Sequence, residues 1–160
     1  IAWFSRFLGK TCNLVFMPEN TPRPVDERFA LNKESVSFAD AFPYLLITQA
    51  SLNDLNNRLQ APLPMDRFRP NLVISGTSAF EEDEWDEIKI GDVKFKVAKP
   101  CARCVLTTVN QNTGEAGKEP LSTLSTYRST NNKILFGQNL IALNEGLIRA
   151  GDSVEVISYK

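Results

Sequence analysis

Apolar positions along this chain recur mostly at the two-residue spacing of half-buried strands, with three short stretches at helical spacing. Ala2 to Leu8 is amphipathic and stops at Gly9, a residue suited to the left-handed position that ends a helix. Cys12 to Met17 is an apolar run that reads as a strand. Pro18 to Lys33 holds three prolines and mixed charge and reads as a surface loop. Tyr44 to Thr48 reads as the next strand. The strongest helical pattern follows, with Leu52, Leu55 and Leu59 on one face. Ser51, with Asp54 three residues on, marks its start as a capping box, and Pro62 and Pro64 end it.

Asn71 to Ser75, after Pro70, reads as a strand. The acidic run Glu81 to Glu84 reads as a solvated loop leading into a hairpin. In that hairpin Ile88 and Ile90 alternate with polar residues, Gly91-Asp92 turns, and Val93, Phe95 and Val97 alternate on the way back. Val105 to Val109 reads as a strand from its β-branched content. Asn110 to Lys118 is a polar loop, and Pro120 to Arg128 is a short helix with proline at its first position. Ile134 to Leu143 and Val154 to Ile157 close the chain as strands, with a turn at Gly151-Asp152. This pattern of about seven strands and three short helices, without a βαβ rhythm, predicts an α+β, β-rich fold. The domain is expected to be mostly antiparallel and barrel-like, and to run over residues 1–160.

The bulk numbers narrow the function classes. A chain of 160 residues is enough for one domain with its own core. With 18 Lys+Arg against 19 Asp+Glu, the net charge of −1 gives no basis for general binding to nucleic acid or to an anionic membrane. No apolar run approaches bilayer length, and the start lacks a secretion signal. The chain begins at Ile1 without an initiator methionine and is expected to be a piece of a longer protein. Three cysteines, an odd count, argue for a reducing compartment, with the cytoplasm expected. The absence of histidine excludes Ser-His-Asp and Cys-His catalysis and His-ligated zinc.

Several segments could carry chemistry. Lys99-Pro100-Cys101-Ala102-Arg103-Cys104 offers two thiols flanked by cations, and reads either as a soft-metal or redox site or as two buried structural cysteines. A thioredoxin-like site is disfavoured, since that motif opens a helix and this one is expected to continue as a strand. Arg67-Phe68-Arg69-Pro70-Asn71 offers guanidinium groups for phosphate and an amide for a heterocycle edge, or else is a solvated turn. Ser35-Val36-Ser37-Phe38-Ala39-Asp40 sets small hydroxyls beside a carboxylate, as a turn also would. Gly137, in Phe136-Gly137-Gln138-Asn139, permits a close approach to the backbone or marks a β-bulge. No dinucleotide or nucleoside triphosphate loop is present.

Taken in order, these pieces resemble the MOSC domain family, named for the C-terminal domain of molybdenum cofactor sulfurase. The resemblance rests on Ser37-Phe38-Ala39-Asp40, Ala50-Ser51-Leu52-Asn53-Asp54-Leu55-Asn56, Phe68-Arg69-Pro70-Asn71-Leu72-Val73, Phe80-Glu81-Glu82-Asp83-Glu84-Trp85 and Cys101-Ala102-Arg103-Cys104-Val105-Leu106-Thr107-Thr108-Val109. It covers essentially the whole chain and is greatest toward bacterial relatives of the mitochondrial amidoxime-reducing component. It implies a β-rich domain holding a molybdenum–pterin cofactor, with Cys104 as the protein ligand to molybdenum and Cys101 not a ligand. It implies cofactor contacts from Arg69 and Asn71, and on motif position alone from Arg103, Ser37, Asp40 and Thr107.

The implied chemistry is two-electron reduction of small N-hydroxylated substrates, such as hydroxylamino-purines and amidoximes, a detoxifying activity. The implied partner is a 2Fe–2S ferredoxin-type electron donor, as a further domain or a separate protein. Three cysteines cannot ligate that cluster within this chain. Relatives carry a preceding β domain that completes the cofactor site, so the fragment alone is expected to be inactive and to bind cofactor weakly or not at all. The alternative is a non-catalytic carrier of cofactor or sulfur, using a Cys104 persulfide. Pyridoxal phosphate binding, a further family association, finds no distinctive Schiff-base lysine here.

Overall fold

The computed structural model describes residues 2–31, 34–39 and 41–160. The chain divides into two compact units, residues 1–41 and 42–160. In the first, helix α1 spans Ala2–Leu8, as the periodicity predicts, and ends at Gly9 with φ +65°. Trp3 and Phe7, about one turn apart, stack with ring centroids 5.1 Å apart. The strand expected over Cys12 to Met17 does not form. Leu14, Val15 and Phe16 stay exposed, and an apolar run without a neighbouring strand has no ladder to satisfy its backbone groups. The Cys12 N–H instead donates to Ser5 Oγ at 3.1 Å. The proline-rich stretch is a loop, closed by an antiparallel bridge between Pro24 and Ser35.

The second unit is built on one curled, half-barrel sheet of seven strands. They are β1 (Tyr44–Thr48), β2 (Leu72–Ile74), β3 (Trp85–Ile90), β4 (Val93–Ala102), β5 (Ser129–Thr130), β6 (Lys133–Ala142) and β7 (Val154–Tyr159). The order is β2-β1-β6-β4-β3-β7, with β5 pairing β6. Pairings are antiparallel except β1 with β2, where Leu46 faces Leu72 and Thr48 faces Ile74. The fold is thus β-rich and mostly antiparallel, as expected. One βαβ unit was not legible in the sequence: β1, helix α2 (Gln49–Asn56) and the parallel β2. The strand β2 is only three residues long, too short to carry a rhythm.

Burial alternates along the strands and fills both faces. One core cluster holds Leu46, Ile74, Trp85, Ile88, Ile90, Val93, Phe95, Val97 and Leu140. The other holds Ile47, Leu52, Leu55, Phe68, Leu124 and Phe136, beneath α2 and helix α3 (Leu121–Ser125). Adjacent Leu46 and Ile47 enter opposite clusters, as the two-residue period requires. Phe136 and Leu140, four apart, would share a face in a regular strand, yet they also enter opposite clusters. Between them Gly137 takes φ +80°, and a Cβ there would lie 2.7 Å from the Leu46 carbonyl oxygen. The glycine both breaks the alternation and lets β6 press onto β1. Pro100 sits in β4 beyond the part paired to β3, so its missing N–H disrupts no ladder on that side.

Two expected starts moved. Helix α2 begins at Gln49 with Thr48 as its cap, the Thr48 hydroxyl accepting from the Ser51 N–H at 3.2 Å. Ser51 is therefore inside the helix and turns its hydroxyl elsewhere. Val105–Thr108 forms a 3-10 turn in place of the expected strand.

Candidate functional site

The turn that replaces the strand is what presents Cys104. Its threonines bond backward along the chain: Thr107 Oγ1 donates to the Cys104 carbonyl at 3.0 Å, and Thr108 Oγ1 to that of Val105 at 2.8 Å. Such local bonds compete with a strand ladder, and they win here because both threonines are also buried. One residue before the turn, the Arg103 N–H still donates to the Ile134 carbonyl at 2.7 Å, so the chain leaves β6 only at Cys104. Cys104 stands at the head of the turn as an exposed free thiol. Val105 and Leu106 beside it are also exposed and form an apolar rim.

A second turn lies alongside. Met65–Phe68 is a 3-10 turn ending at Arg69, which adopts the left-handed conformation at φ 55°, ψ 46°. Phe68 drives this turn into the core, its ring centroid 4.5 Å from that of Phe136. Asn71 pins the other end to β1: its N–H donates to the Leu45 carbonyl at 2.8 Å, and its Oδ1 accepts the Leu45 N–H at 2.9 Å. Among the described residues the Asn71 amide nitrogen donates to no partner. The Arg69 side chain is exposed and makes no hydrogen bond or ion pair among the described residues.

The two turns are laced together. Arg103 Nη2 donates to the Phe68 carbonyl at 2.7 Å, and Gln111 Nε2 to that of Asp66 at 2.8 Å. Arg103 Nη1 donates to Cys101 Sγ at 3.2 Å, and its guanidinium lies 5.6 Å from the Phe68 ring centroid. Beside both turns opens a cleft of about 400 Å³, lined by Leu63, Arg67, Thr108, Glu115, Lys118 and Glu119 among others. Arg67 Nε is buried without a hydrogen-bond partner.

Of the residues singled out in the sequence, Cys104, Arg103, Arg69, Asn71 and Thr107 all lie on or beside these turns. Thr107 is buried with its hydroxyl spent on Cys104. Ser37 belongs to the first unit, where its carbonyl accepts from Arg23 Nη1. Asp40 lies outside the described residues. The sequence reading treated the acidic run as solvated, and this is corrected: Glu82 is fully buried. Its carboxylate accepts from Ser51 Oγ at 2.8 Å and from Thr48 Oγ1 at 3.0 Å. Burial pushes its pKa above the ordinary carboxylate value, opposed by the hydrogen bond from Ser51. Next to it, Asp83 accepts from Arg128 Nη2 and from Gln138 Nε2, both at 2.6 Å. Only the partners of these two acids, all distant in sequence, reveal their burial.

A free cysteine, an unengaged arginine and an anchored R-P-N turn on one ledge can be compared with known proteins. The family model described as "MOSC domain" matches residues 33–155. This chain belongs to the MOSC domain family. It is 42% identical over 168 aligned residues to mitochondrial amidoxime-reducing component 1 of Mus musculus, covering 97% of this chain and 49% of that protein. To mitochondrial amidoxime reducing component 2 of Rattus norvegicus it is 47% identical over 133 residues, covering 78% of this chain and 39% of that protein. This MOSC chain thus spans about half the length of the first of these curated relatives. A solved structure of YiiM from Geobacillus stearothermophilus matches with a TM-score of 0.53 at 17% identity, covering 73% of this chain and 55% of that one, and it supports the fold alone. Among the described residues no three Cys, Asp or Glu side chains gather as a metal cage. The donor set nevertheless fits a molybdenum–pterin group, which brings its own sulfur ligands. It needs from the protein one accessible sulfur and cations for an anionic tail. Cys104 would serve as the first, and the exposed Arg69 would supply the second.

Proposed function

We propose that this chain is the molybdenum-cofactor-binding part of an oxidoreductase that reduces N-hydroxylated substrates such as amidoximes and hydroxylamino-purines. One observation carries the reading. The exposed Cys104 thiol and the unengaged Arg69 guanidinium sit on adjoining turns laced by Arg103, in a chain related to proteins named for amidoxime reduction.

Cys104 would ligate the metal, and Arg69, Arg67 and the Asn71 amide would bind the pterin and its phosphate. When bound, the cofactor supplies the two-electron reduction, with two protons taken up and water released as the N–O bond breaks. The protein's part is placement. Thr107 fixes the carbonyl of Cys104, Phe68 seats the arginine turn in the core, and Asn71 fixes its distance from β1. Electrons would come from a 2Fe–2S ferredoxin-type donor, and a reducing compartment such as the cytoplasm suits the three thiols.

The test uses the full-length gene product from cells that make the cofactor. Cys104→Ala should lose both molybdenum and hydroxylamine reduction, while Cys101→Ser should keep most of each. Full metal content and activity in Cys104→Ala would overturn the proposal. Sulfide release without reductase activity would point instead to a sulfur carrier.

A further inference from the structure

Two cysteines lie three residues apart, and the structure treats them differently. The Cys104 thiol is exposed and makes no hydrogen bond among the described residues, whereas Cys101 is half-buried with its sulfur 3.2 Å from Arg103 Nη1. The same guanidinium reaches the Phe68 carbonyl at 2.7 Å. That carbonyl closes the 3-10 turn immediately before Arg69. Arg103 was read from the sequence as a group facing the cofactor. In the structure each of its terminal nitrogens has a partner within the protein, the Phe68 carbonyl and the Cys101 sulfur.

We propose that Arg103 is a positioning residue of the site. Its two arms lock the Arg69 turn to the strand end that presents Cys104, and hold the Cys101 sulfur aside, so that Cys104 is the one sulfur offered. The fork geometry matters, because one planar group must meet a carbonyl on one side and a sulfur on the other. Lysine, with a single ammonium, cannot span both. A Cys101–Cys104 disulfide is not the device here. Both thiols are free, and the Cys101 sulfur is taken up by Arg103. The proposal rests on the functional reading above for what Cys104 meets, but its geometry can be tested separately.

In the full chain, iodoacetamide labelling at a pH high enough to ionise thiols generally, so that the rate reads access and not thiolate fraction, is followed at each cysteine by peptide mass spectrometry. The wild type should label Cys104 well ahead of Cys101. Arg103→Met keeps an apolar stem near Phe68 but loses both arms. It should raise Cys101 labelling by about tenfold, the weight of one charge-assisted contact. Arg103→Lys should fail to restore the difference. Leu55→Val is the control for general loosening: it weakens the same core cluster from helix α2, and should preserve the labelling pattern. In the full-length gene product, Arg103→Met should also lower molybdenum per protein while Leu55→Val does not. An unchanged pattern in Arg103→Met, or its equal collapse in Leu55→Val, overturns the proposal. If the wild-type product holds no molybdenum, the functional reading fails, while the labelling result still decides the role of Arg103.

Discussion

Ser51 Oγ lies 2.8 and 2.9 Å from the two carboxylate oxygens of Glu82, and both side chains are fully buried. The same hydroxyl accepts the Phe80 N–H at 2.7 Å, holding Phe80 in a left-handed conformation with φ 64°. One hydroxyl therefore ties the first turn of α2 to the turn that leads into β3.

This arrangement predicts a pH dependence of stability. Burial raises the Glu82 pKa above 4.5, so the folded state holds that proton more tightly than the unfolded chain does. Its favourable contribution is full below that value and is lost as pH rises through the raised one. Glu82→Gln carries no such proton. The melting temperature of the variant relative to wild type should therefore climb as pH increases from 4.5 upward. Thermal unfolding across that range checks it, and a constant difference would refute it.

Asp83 supports a different set of contacts. Arg128, in the turn before β5, and Gln138, on β6, converge on its two carboxylate oxygens. Asp83→Ala leaves a partly buried guanidinium and a fully buried amide without their acceptor, at a cost of about 3 kcal/mol. Asp83→Asn keeps an acceptor for Gln138 and should lose about half as much. Urea denaturation of both variants measures the difference.

Gly137 sets a steric limit on the sheet. An added methyl would meet the Leu46 carbonyl oxygen and Ile47 Cγ1 at 2.7 Å, on a backbone with φ +80°. Gly137→Ala should destabilise the second unit by about 2–4 kcal/mol. Chemical denaturation checks this, and near-wild-type stability would show that β1 and β6 can part without cost.

The strands with regular alternation were legible because their burial repeats every two residues. Ile88, Ile90, Val93, Phe95 and Val97 all point into one core, as their spacing says. The turn after Cys104 was not legible, since Val105, Thr107, Thr108 and Val109 carry β-branched side chains that favour strands locally. Only the bonds from Thr107 and Thr108 back to the main chain reveal the turn. Glu82 was misread for a related reason: a run of acids normally faces water, and its burial depends on Thr48 and Ser51 more than thirty positions earlier. The sequence singled out Cys104, Arg69 and Asn71, and the structure sets them on adjoining turns. It could not show what holds Arg103, because its partners are a carbonyl in another turn and the Cys101 sulfur.

Arg69 occupies a backbone conformation that glycine would hold more comfortably, by roughly 1 kcal/mol. Glycine there would ease the chain and erase the guanidinium in one stroke. Foldability and usefulness thus rank the choices at this position in opposite orders. Under the proposed function, a library scored for soluble expression would keep variants that one scored for cofactor retention discards.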